Sequence, residues 1–359
     1  MSSIPFIIIA ILMLGLLILV HELGHFVTGR LMGFKINEFS IGMGPKIFSK
    51  EKKGIIYSLR WIPMGGFVAF HGEDEDGEDD PRALNNMPWY KRAIVMFSGA
   101  GFNILFAFIV TAILVCSVGY YVPRIHSVNE KSTIYNIAQP GDVICEVNNK
   151  KIISVGQFQE ELKKSDENSP IALTVLRNGE TVKYEALRYF DETEGRYLIG
   201  ITQDYVNIDV NFFESFDYSF RYNVLMTKTM YSTLWKLVSG QLENGLKDVT
   251  GPISTIGQIS GFVEESANGE MAKTLTLGER VSQTISIIME LLVIISMNLA
   301  IMNLLPIPAL DGFRLLFALI EGITKKHIPR KIEGTINAIG LIVLVGLMFA
   351  LEISKLFMR

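Results

Sequence analysis

The chain contains little cysteine and little charge. Its 359 residues include only two cysteines, Cys116 and Cys145, and 19% of the residues are charged. Two cysteines so far apart exclude a disulfide framework and a cysteine-based zinc site, so a tightly bound metal must use histidine and carboxylate ligands. The net charge of −4 says little about partners, and no nucleic acid partner is predicted.

Hydrophobic residues are abundant instead. They make up 49% of the chain, and the mean hydropathy of +0.32 is too high for an ordinary soluble enzyme. The excess lies in four blocks, at residues 4–20, 93–122, 281–310 and 336–351. Because a spanning helix needs roughly 20 apolar residues, the sequence predicts a polytopic α-helical membrane protein with about four transmembrane helices. No basic stretch precedes the first block, which is therefore predicted to remain as an anchor and not to be cleaved as a signal.

Lysine and arginine are unevenly distributed around these blocks. They are frequent in residues 30–92 and 314–331, and none precedes residue 4. Since cytoplasmic loops carry the excess of these residues, both segments are predicted to be cytoplasmic in a multi-pass cell membrane protein (inner or plasma membrane). Both termini and residues 123–280 are then predicted to be extracytoplasmic.

A metal-binding pattern follows the first block. His21 and His25 are four residues apart, so on a helix both imidazoles project from one face and can hold one Zn²⁺. Glu22, between them in sequence, is placed to take a proton from the water at the metal. The alternatives are a chance match and two interfacial histidines that bind nothing.

A third ligand has to come from elsewhere in the chain, because catalytic zinc usually has three protein ligands and one open position. Asp311 is the best candidate, since an ionisable residue next to a span is a functional candidate. Pro306 and Pro308 just before it break the helix, which is tolerated where the freed backbone lines a buried cavity. Alternatively, Asp311 is an ordinary N-cap of the helix that follows.

The other segments have β and amphipathic patterns. Residues 55–59 and 67–70 predict two short strands of a β-hairpin beside the metal motif, although a surface hairpin has the same pattern. Residues 123–205 are rich in predicted strands, and Asn178-Gly179 marks a hairpin turn. Helical spacing from Phe212 predicts a helix that lies at the membrane interface or packs on the β domain.

With these motifs the chain resembles the site-2 proteases, which are intramembrane zinc metalloproteases, and within them the bacterial regulator-of-sigma-E type. The resemblance rests on the His21 to His25 motif and on residues 303–312, which match the family's N-x-x-P-x-P-x-L-D-G. It also rests on residues 42–45 and 63–68 of the first loop, and on one PDZ-like domain between the second and third spans.

The resemblance implies roles for individual residues. His21, His25 and Asp311 are the expected zinc ligands, and Glu22 is the expected general base. The residues expected to bind substrate are Asn303, Pro306, Pro308, Gly65 and Gly66.

The expected organisation has four parts. Residues 1–122 form a first membrane part with two spans, the zinc motif and a membrane-associated β-hairpin, and 123–205 form an extracytoplasmic PDZ-like α+β domain. Residues 206–280 form an interfacial, amphipathic helical connector, and 281–359 form a second membrane part with two spans and the aspartate motif.

The expected partners are the lipid bilayer and single-pass membrane protein substrates, of the anti-sigma factor type or signal-peptide remnants. Two other functions predict different sequence features. A membrane-anchored zinc protease of membrane-protein quality control would typically use a glutamate as its third ligand, and a non-catalytic PDZ scaffold would have a degraded metal motif.

Overall fold

The computed structural model describes residues 4–73, 79–166, 169–192, 195–241, 252–326 and 328–357. The helices are α1 Ile4–Leu31, α2 Trp89–Val118, α3 Val155–Lys164, α4 Phe212–Val238, α5 Pro252–Asn268, α6 Glu270–Lys273, α7 Leu277–Asn303, α8 Asp311–Thr324 and α9 Arg330–Phe357. The strands are β1 Ile36–Lys52, β2 Ile55–Phe70, β3 Tyr120–Val128, β4 Val143–Val147, β5 Lys150–Lys151, β6 Ile171–Arg177, β7 Glu180–Ala186, β8 Tyr189–Asp191, β9 Arg196–Leu198 and β10 Ile201–Ile208.

Four helices in the described part of the chain are long and apolar enough to cross a membrane, as the sequence predicts. They are Ile4–Leu31, Trp89–Val118, Leu277–Asn303 and Lys331–Ala350. Helix α7 begins at a capping box, in which the Thr276 hydroxyl accepts from the Glu279 N–H and the Glu279 carboxylate accepts from the Thr276 N–H. It ends at Asn303, shortly before Pro306, because the residue before a proline avoids helical backbone angles.

The chain forms two compact units. One consists of Met1–Thr111 with Asn223–Arg359, and the other of Ala112–Tyr222. In the first unit, Ile259 and Val263 of α5 are buried in one cluster with Leu17 of α1 and Leu292 of α7. Part of the predicted connector therefore belongs to the helical core of this unit.

The first loop folds into a sheet of two long strands. Residues 36–41 of β1 pair with residues 66–70 of β2 and also with residues 56–59 of the same strand. Residues 48–52 of β1 pair with residues 55–59. The first part of β1 therefore lies between the two halves of β2.

The predicted hairpin between residues 55–59 and 67–70 is wrong in its pairing. Both segments belong to β2, and each pairs with β1 and not with the other. The register shifts along β1 include the stretch with Gly42 and Gly44, whose φ values of 83° and 86° suit glycine. A Cβ on Gly42 would lie 2.6 Å from the Ile62 carbonyl oxygen, so the strands could not approach as closely with another residue.

The second unit is built on a sheet with strand order β10-β3-β4-β6-β7, in which β5 also pairs with β4. Its core contains Ile125, Ile144 and Leu173 from the sheet and Phe158 from α3. The predicted turn between β6 and β7 is confirmed, since Asn178 and Gly179 have φ values of 51° and 87°. This fold agrees with the predicted α+β domain.

Asp142 is a buried carboxylate of this second unit. Asp142 accepts two hydrogen bonds of 2.6 Å from the Arg177 guanidinium and one of 3.0 Å from the Gln139 N–H. The Tyr184 hydroxyl donates a fourth, at 3.3 Å. Gly141 has a φ of 98°, which places Asp142 toward these donors.

Candidate metal centre

Helix α1 carries two histidines and a glutamate close together, near the end of its apolar segment. His21 and His25 are each only 6% exposed, and their four-residue spacing puts them on one face of the helix. Glu22 lies beside them and is partly buried. These residues lie within a helix that can span a membrane.

Asp311 is the first residue of α8, and Leu310 occupies the N-cap position without any side-chain capping bond. The alternative in which Asp311 caps the helix is therefore wrong. Its Oδ2 lies 2.8 Å from His21 Nε2 and 3.0 Å from His25 Nε2. The fold thus joins two segments that are 286 or more residues apart in sequence.

The three ligand atoms converge, because the two histidine Nε2 atoms are also only 3.2 Å apart. Tetrahedral zinc with bonds of about 2.0–2.1 Å separates its ligand atoms by roughly 3.3 Å, so the triangle fits zinc after opening by about 0.3 Å. Two imidazole nitrogens and one carboxylate oxygen form a ligand set typical of catalytic zinc. In the described residues, this is the one group of three such side chains whose ligand atoms come within 4.8 Å of one another.

The loop between α7 and α8 has the backbone geometry that positions Asp311. Ala309 has a φ of 79°, which is strained for a residue with a Cβ, and its N–H donates to Asn337 Oδ1 of α9 at 3.0 Å. A Cβ on Gly312 would collide with the Leu305 carbonyl oxygen. The loop therefore folds back onto the start of α8.

Helix α2 packs directly against the two histidines. A Cβ on Gly99 would lie 2.7 Å from His21 Nε2 and would also collide with His25. The Val95 carbonyl oxygen lies 2.8 Å from His25 Nδ1, and Asn103 Nδ2 lies 3.4 Å from His21 Nδ1. Val95, Gly99 and Asn103 are four residues apart and share one face of α2.

Gly99 and Asn103 are site residues for which the sequence predicts packing in the second span but no role at the metal. The available signal is Gly99 and Gly101 within a charge-free span, because small residues allow transmembrane helices to approach closely. The same reasoning applies to Gly24, where a Cβ would lie 2.9 Å from the Ser98 carbonyl carbon.

Glu22 lies where β2 meets α1. A Cβ on Gly66 would lie 3.2 Å from Glu22 Cγ and 2.8 Å from the Ser40 carbonyl oxygen, so only glycine fits there without a shift. The neighbouring Gly65 has a φ of 97°. In the described part of the chain no strand other than β1 pairs with residues 66–70, so their other edge, which we call the open edge, has no strand partner. At its end, the Phe70 N–H donates to Glu73 Oε2 at 3.3 Å.

The structure also places the remaining predicted residues. Asn303 Nδ2 lies 3.5 Å from His21 Nε2, at the edge of the ligand triangle. Pro306 and Pro308 lie in the loop that leads to Asp311, and Pro308 packs so closely on α9 that a Cβ on Gly340 would overlap with it.

Two ion pairs hold α8 in place. Glu321 of α8 pairs with Arg92 of α2, and both side chains are less than 10% exposed. Arg314 of α8 pairs with Glu73, which follows β2. Removing one partner of a buried pair typically costs about 3–5 kcal/mol, so the Arg92–Glu321 pair opposes movement of α8, and with it of Asp311. The Arg314–Glu73 pair is more exposed, at 31% and 21%, and contributes less.

Known proteins are similar in sequence to nearly the whole chain. A sequence profile of peptidase family M50 matches residues 9–347. The chain is 34% identical over 351 residues to a Clostridium acetobutylicum protein named "Putative zinc metalloprotease", covering 97% of this chain and 96% of that one. Proteins of the same name from Fusobacterium nucleatum and Nostoc sp. are 34% and 32% identical, covering 96% and 94% of this chain and 96% and 92% of their own lengths. The chain therefore belongs to peptidase family M50, which confirms the resemblance to the site-2 proteases.

One solved structure, the PDZ domain of an SdrC-like protein from Listeria monocytogenes, is similar to 24% of this chain over 90% of its own length, with 18% identity and a TM-score of 0.22.

Zinc is the metal of the M50 family. The chain is thus a multi-pass membrane protein of a zinc metalloprotease family.

Proposed function

We propose that this protein is an intramembrane zinc metalloprotease that hydrolyses peptide bonds within the transmembrane segments of single-pass membrane proteins. The observation that carries the proposal is the convergence of His21 Nε2, His25 Nε2 and Asp311 Oδ2 next to Glu22. The histidines and Glu22 lie in a helix that is itself long and apolar enough to span a membrane.

The proposed roles follow from the geometry. His21, His25 and Asp311 hold the metal, and zinc, when bound there, polarises the scissile carbonyl and the attacking water. Glu22 takes a proton from that water and passes it to the leaving amine nitrogen. Asn303, with its amide nitrogen 3.5 Å from His21 Nε2, donates a hydrogen bond to the peptide held at the metal.

The open edge of residues 66–70 explains how a helical substrate could be cut. A transmembrane helix satisfies its own N–H and C=O groups, so a protease must unwind it and offer new partners. An unpaired strand edge supplies them by β-strand addition. Gly66 keeps this segment close to Glu22, since a side chain at Gly66 would press on Glu22 Cγ, and Gly65 beside it has a φ of 97°.

The proposed substrates are proteins of the anti-sigma factor type and signal-peptide remnants, as in regulated intramembrane proteolysis. The distribution of lysine and arginine predicts that the second unit lies outside the membrane, where it would exclude substrates with bulky external portions. The metal site would then lie toward the cytoplasmic side, where water reaches it.

A pair of glutamine variants tests the catalytic proposal. Glu22→Gln is expected to keep zinc and the fold but to lose about 10²- to 10⁴-fold in cleavage rate, because the amide cannot accept the proton. Glu51→Gln, at an exposed position of β1, is the matched control and should cleave normally. Purified protein in lipid vesicles is assayed with a single-pass substrate, and mass spectrometry locates the cut. Normal turnover by Glu22→Gln, or a cut confined to soluble loops, would contradict the proposal.

The proposed orientation is tested with single cysteines. In a variant lacking Cys116 and Cys145, a membrane-impermeant thiol reagent applied to intact cells should label a cysteine at Asn129 but not one at Ser49. The reverse pattern would overturn the orientation and the cytoplasmic placement of the site.

A further inference from the structure

Asn103 of α2 is a buried polar residue at the metal centre. It is 0% exposed, and its side-chain nitrogen lies 3.4 Å from His21 Nδ1. Its backbone is fixed, because the Ser296 hydroxyl of α7 donates to the Asn103 carbonyl oxygen at 2.8 Å. Among the described residues, the side-chain oxygen of Asn103 has no hydrogen-bond partner.

A histidine that binds zinc through Nε2 needs a hydrogen-bond acceptor for its other ring nitrogen. A neutral imidazole that gives its Nε2 lone pair to a metal carries its proton on Nδ1, and that N–H needs an acceptor. His25 has one, since its Nδ1 lies 2.8 Å from the Val95 carbonyl oxygen. For His21, the Asn103 amide is the group at this position.

We propose that Asn103 is a positioning residue whose side-chain oxygen accepts a hydrogen bond from His21 Nδ1–H and so fixes Nε2 as the zinc ligand atom. The inference rests on the proposed function, because it takes His21 Nε2 as a zinc ligand. The two ends of an amide have nearly the same volume, so a 180° rotation places the oxygen toward His21 without new overlap. Either orientation leaves one end of the amide without a partner, but only the rotated one avoids two N–H groups facing each other.

The two histidines are then oriented by the same helix in two ways. Val95 acts through its backbone, which no substitution removes, whereas Asn103 acts through a side chain that can be exchanged. Gly99 lies between them on the same face and lets α2 come close enough for both contacts. The affinity for zinc should therefore depend on Asn103.

The test measures the zinc dissociation constant by competition with a chelator, in full-length protein carrying Glu22→Gln so that activity plays no part. Asn103→Leu keeps the volume but removes the acceptor, and zinc binding should weaken about 10- to 100-fold. Asn103→Asp keeps an acceptor and should bind zinc at least as tightly as Asn103. Thr111→Val, another buried polar residue of α2, is the control and should leave zinc binding unchanged.

The outcomes separate the inference from the proposed function. If the parent protein itself binds no zinc, the proposed function fails. If it binds zinc and Asn103→Leu binds equally well, or if Asn103→Asp folds and weakens binding as much as Asn103→Leu, the inference is overturned.

A second measurement needs no substitution at Asn103. In zinc-loaded protein with ¹⁵N-labelled histidine, nuclear magnetic resonance should show His21 protonated at Nδ1 and shifted by the metal at Nε2. Metal coordination of His21 through Nδ1 would overturn the inference, whatever the behaviour of the variants.

Discussion

Two aspartates, the buried Asp142 and the partly buried Asp311, show opposite uses of a carboxylate in this molecule. Asp142 in the second unit meets a guanidinium, a backbone N–H and a tyrosine hydroxyl, so its charge is neutralised by the protein itself. Asp311 in the first unit meets two histidine nitrogens that lie 3.2 Å from each other. Nitrogens with lone pairs directed at one point suit a shared cation, whereas a forked guanidinium suits a permanent pair. The groups that surround a carboxylate therefore separate a metal ligand from a structural residue.

The largest expected effect is on zinc binding, when each of the two aspartates is replaced by asparagine in a separate variant. Asp311→Asn should weaken zinc binding by on the order of 10²- to 10³-fold, since about 10–16 kcal/mol is shared among the ligands of a four-ligand site. Asp142→Asn should leave zinc binding unchanged. Metal analysis and chelator competition on both purified variants measure this difference. Equal zinc affinity in the two variants would remove the distinction between the sites.

A smaller fall in zinc affinity is expected when a substitution crowds the ligands but leaves all three in place. Gly99→Ala places a methyl group 2.7 Å from His21 Nε2, so α2 or the histidines must shift. We expect zinc affinity to fall about 10- to 100-fold, as it does when the groups that orient a ligand are disturbed. Gly101→Ala is the matched control, because a Cβ there lies 3.3 Å from the Phe97 ring. The same chelator competition applies, and equal affinities would show that close packing at Gly99 is not required.

The comparison also predicts that replacing Asp142 lowers the stability of the second unit. Asp142→Asn breaks a buried ion pair, which typically costs about 3–5 kcal/mol, and we expect roughly 2–3 kcal/mol because the Arg177 side chain is 21% exposed. Hydrogen exchange of β4 and β6 amides in the full-length protein measures the local free energy of unfolding. Asp204→Asn, which breaks the more exposed pair with Arg124, should cost clearly less. Equal costs would mean that burial of the Asp142 pair adds nothing.

The smallest expected effect is on the acid side of the stability profile of the second unit. Burial raises the pKa of Asp142, but the hydrogen bonds from Arg177, the Gln139 N–H and Tyr184 outweigh it and hold the pKa below its usual value. This stabilisation is complete above the ordinary aspartate pKa of about 3.9 and is lost as the pH falls through the lowered folded-state value. Protection of β4 amides should therefore be constant near neutral pH and decline below about pH 4. A profile of the same shape in Asp142→Asn would assign the decline to other groups.

Local patterns in the sequence predict much of this structure. The apolar blocks predict the four spans, and the Asn178-Gly179 pair predicts the turn between β6 and β7. The spacing of His21 and His25 predicts that they share one face of a helix. Asp311 was selected by its position next to a span and by family resemblance, because nothing local distinguishes a ligand from an N-cap.

Contacts between distant segments could not be predicted in the same way. The pairing of β1 with both halves of β2 depends on where the chain bends, and the sequence shows Gly42 and Gly44 only as part of a motif. The ion pair between Arg92 and Glu321 and the contact of Gly99 with His21 depend on how the helices pack. A helix's own periodicity shows which residues share a face, but not which face of another helix they meet.

The open edge at residues 66–70 also indicates how an inhibitor of this protein could be built. An extended peptide that pairs with this edge and ends in a metal-chelating group would occupy the strand and the zinc position together, so that each half holds the other at high effective concentration. N-methylation of the alternate amides that face the edge would remove its hydrogen bonds and should abolish inhibition. Methylation of the intervening amides would leave the pairing intact and would shield the compound from hydrolysis by other proteases.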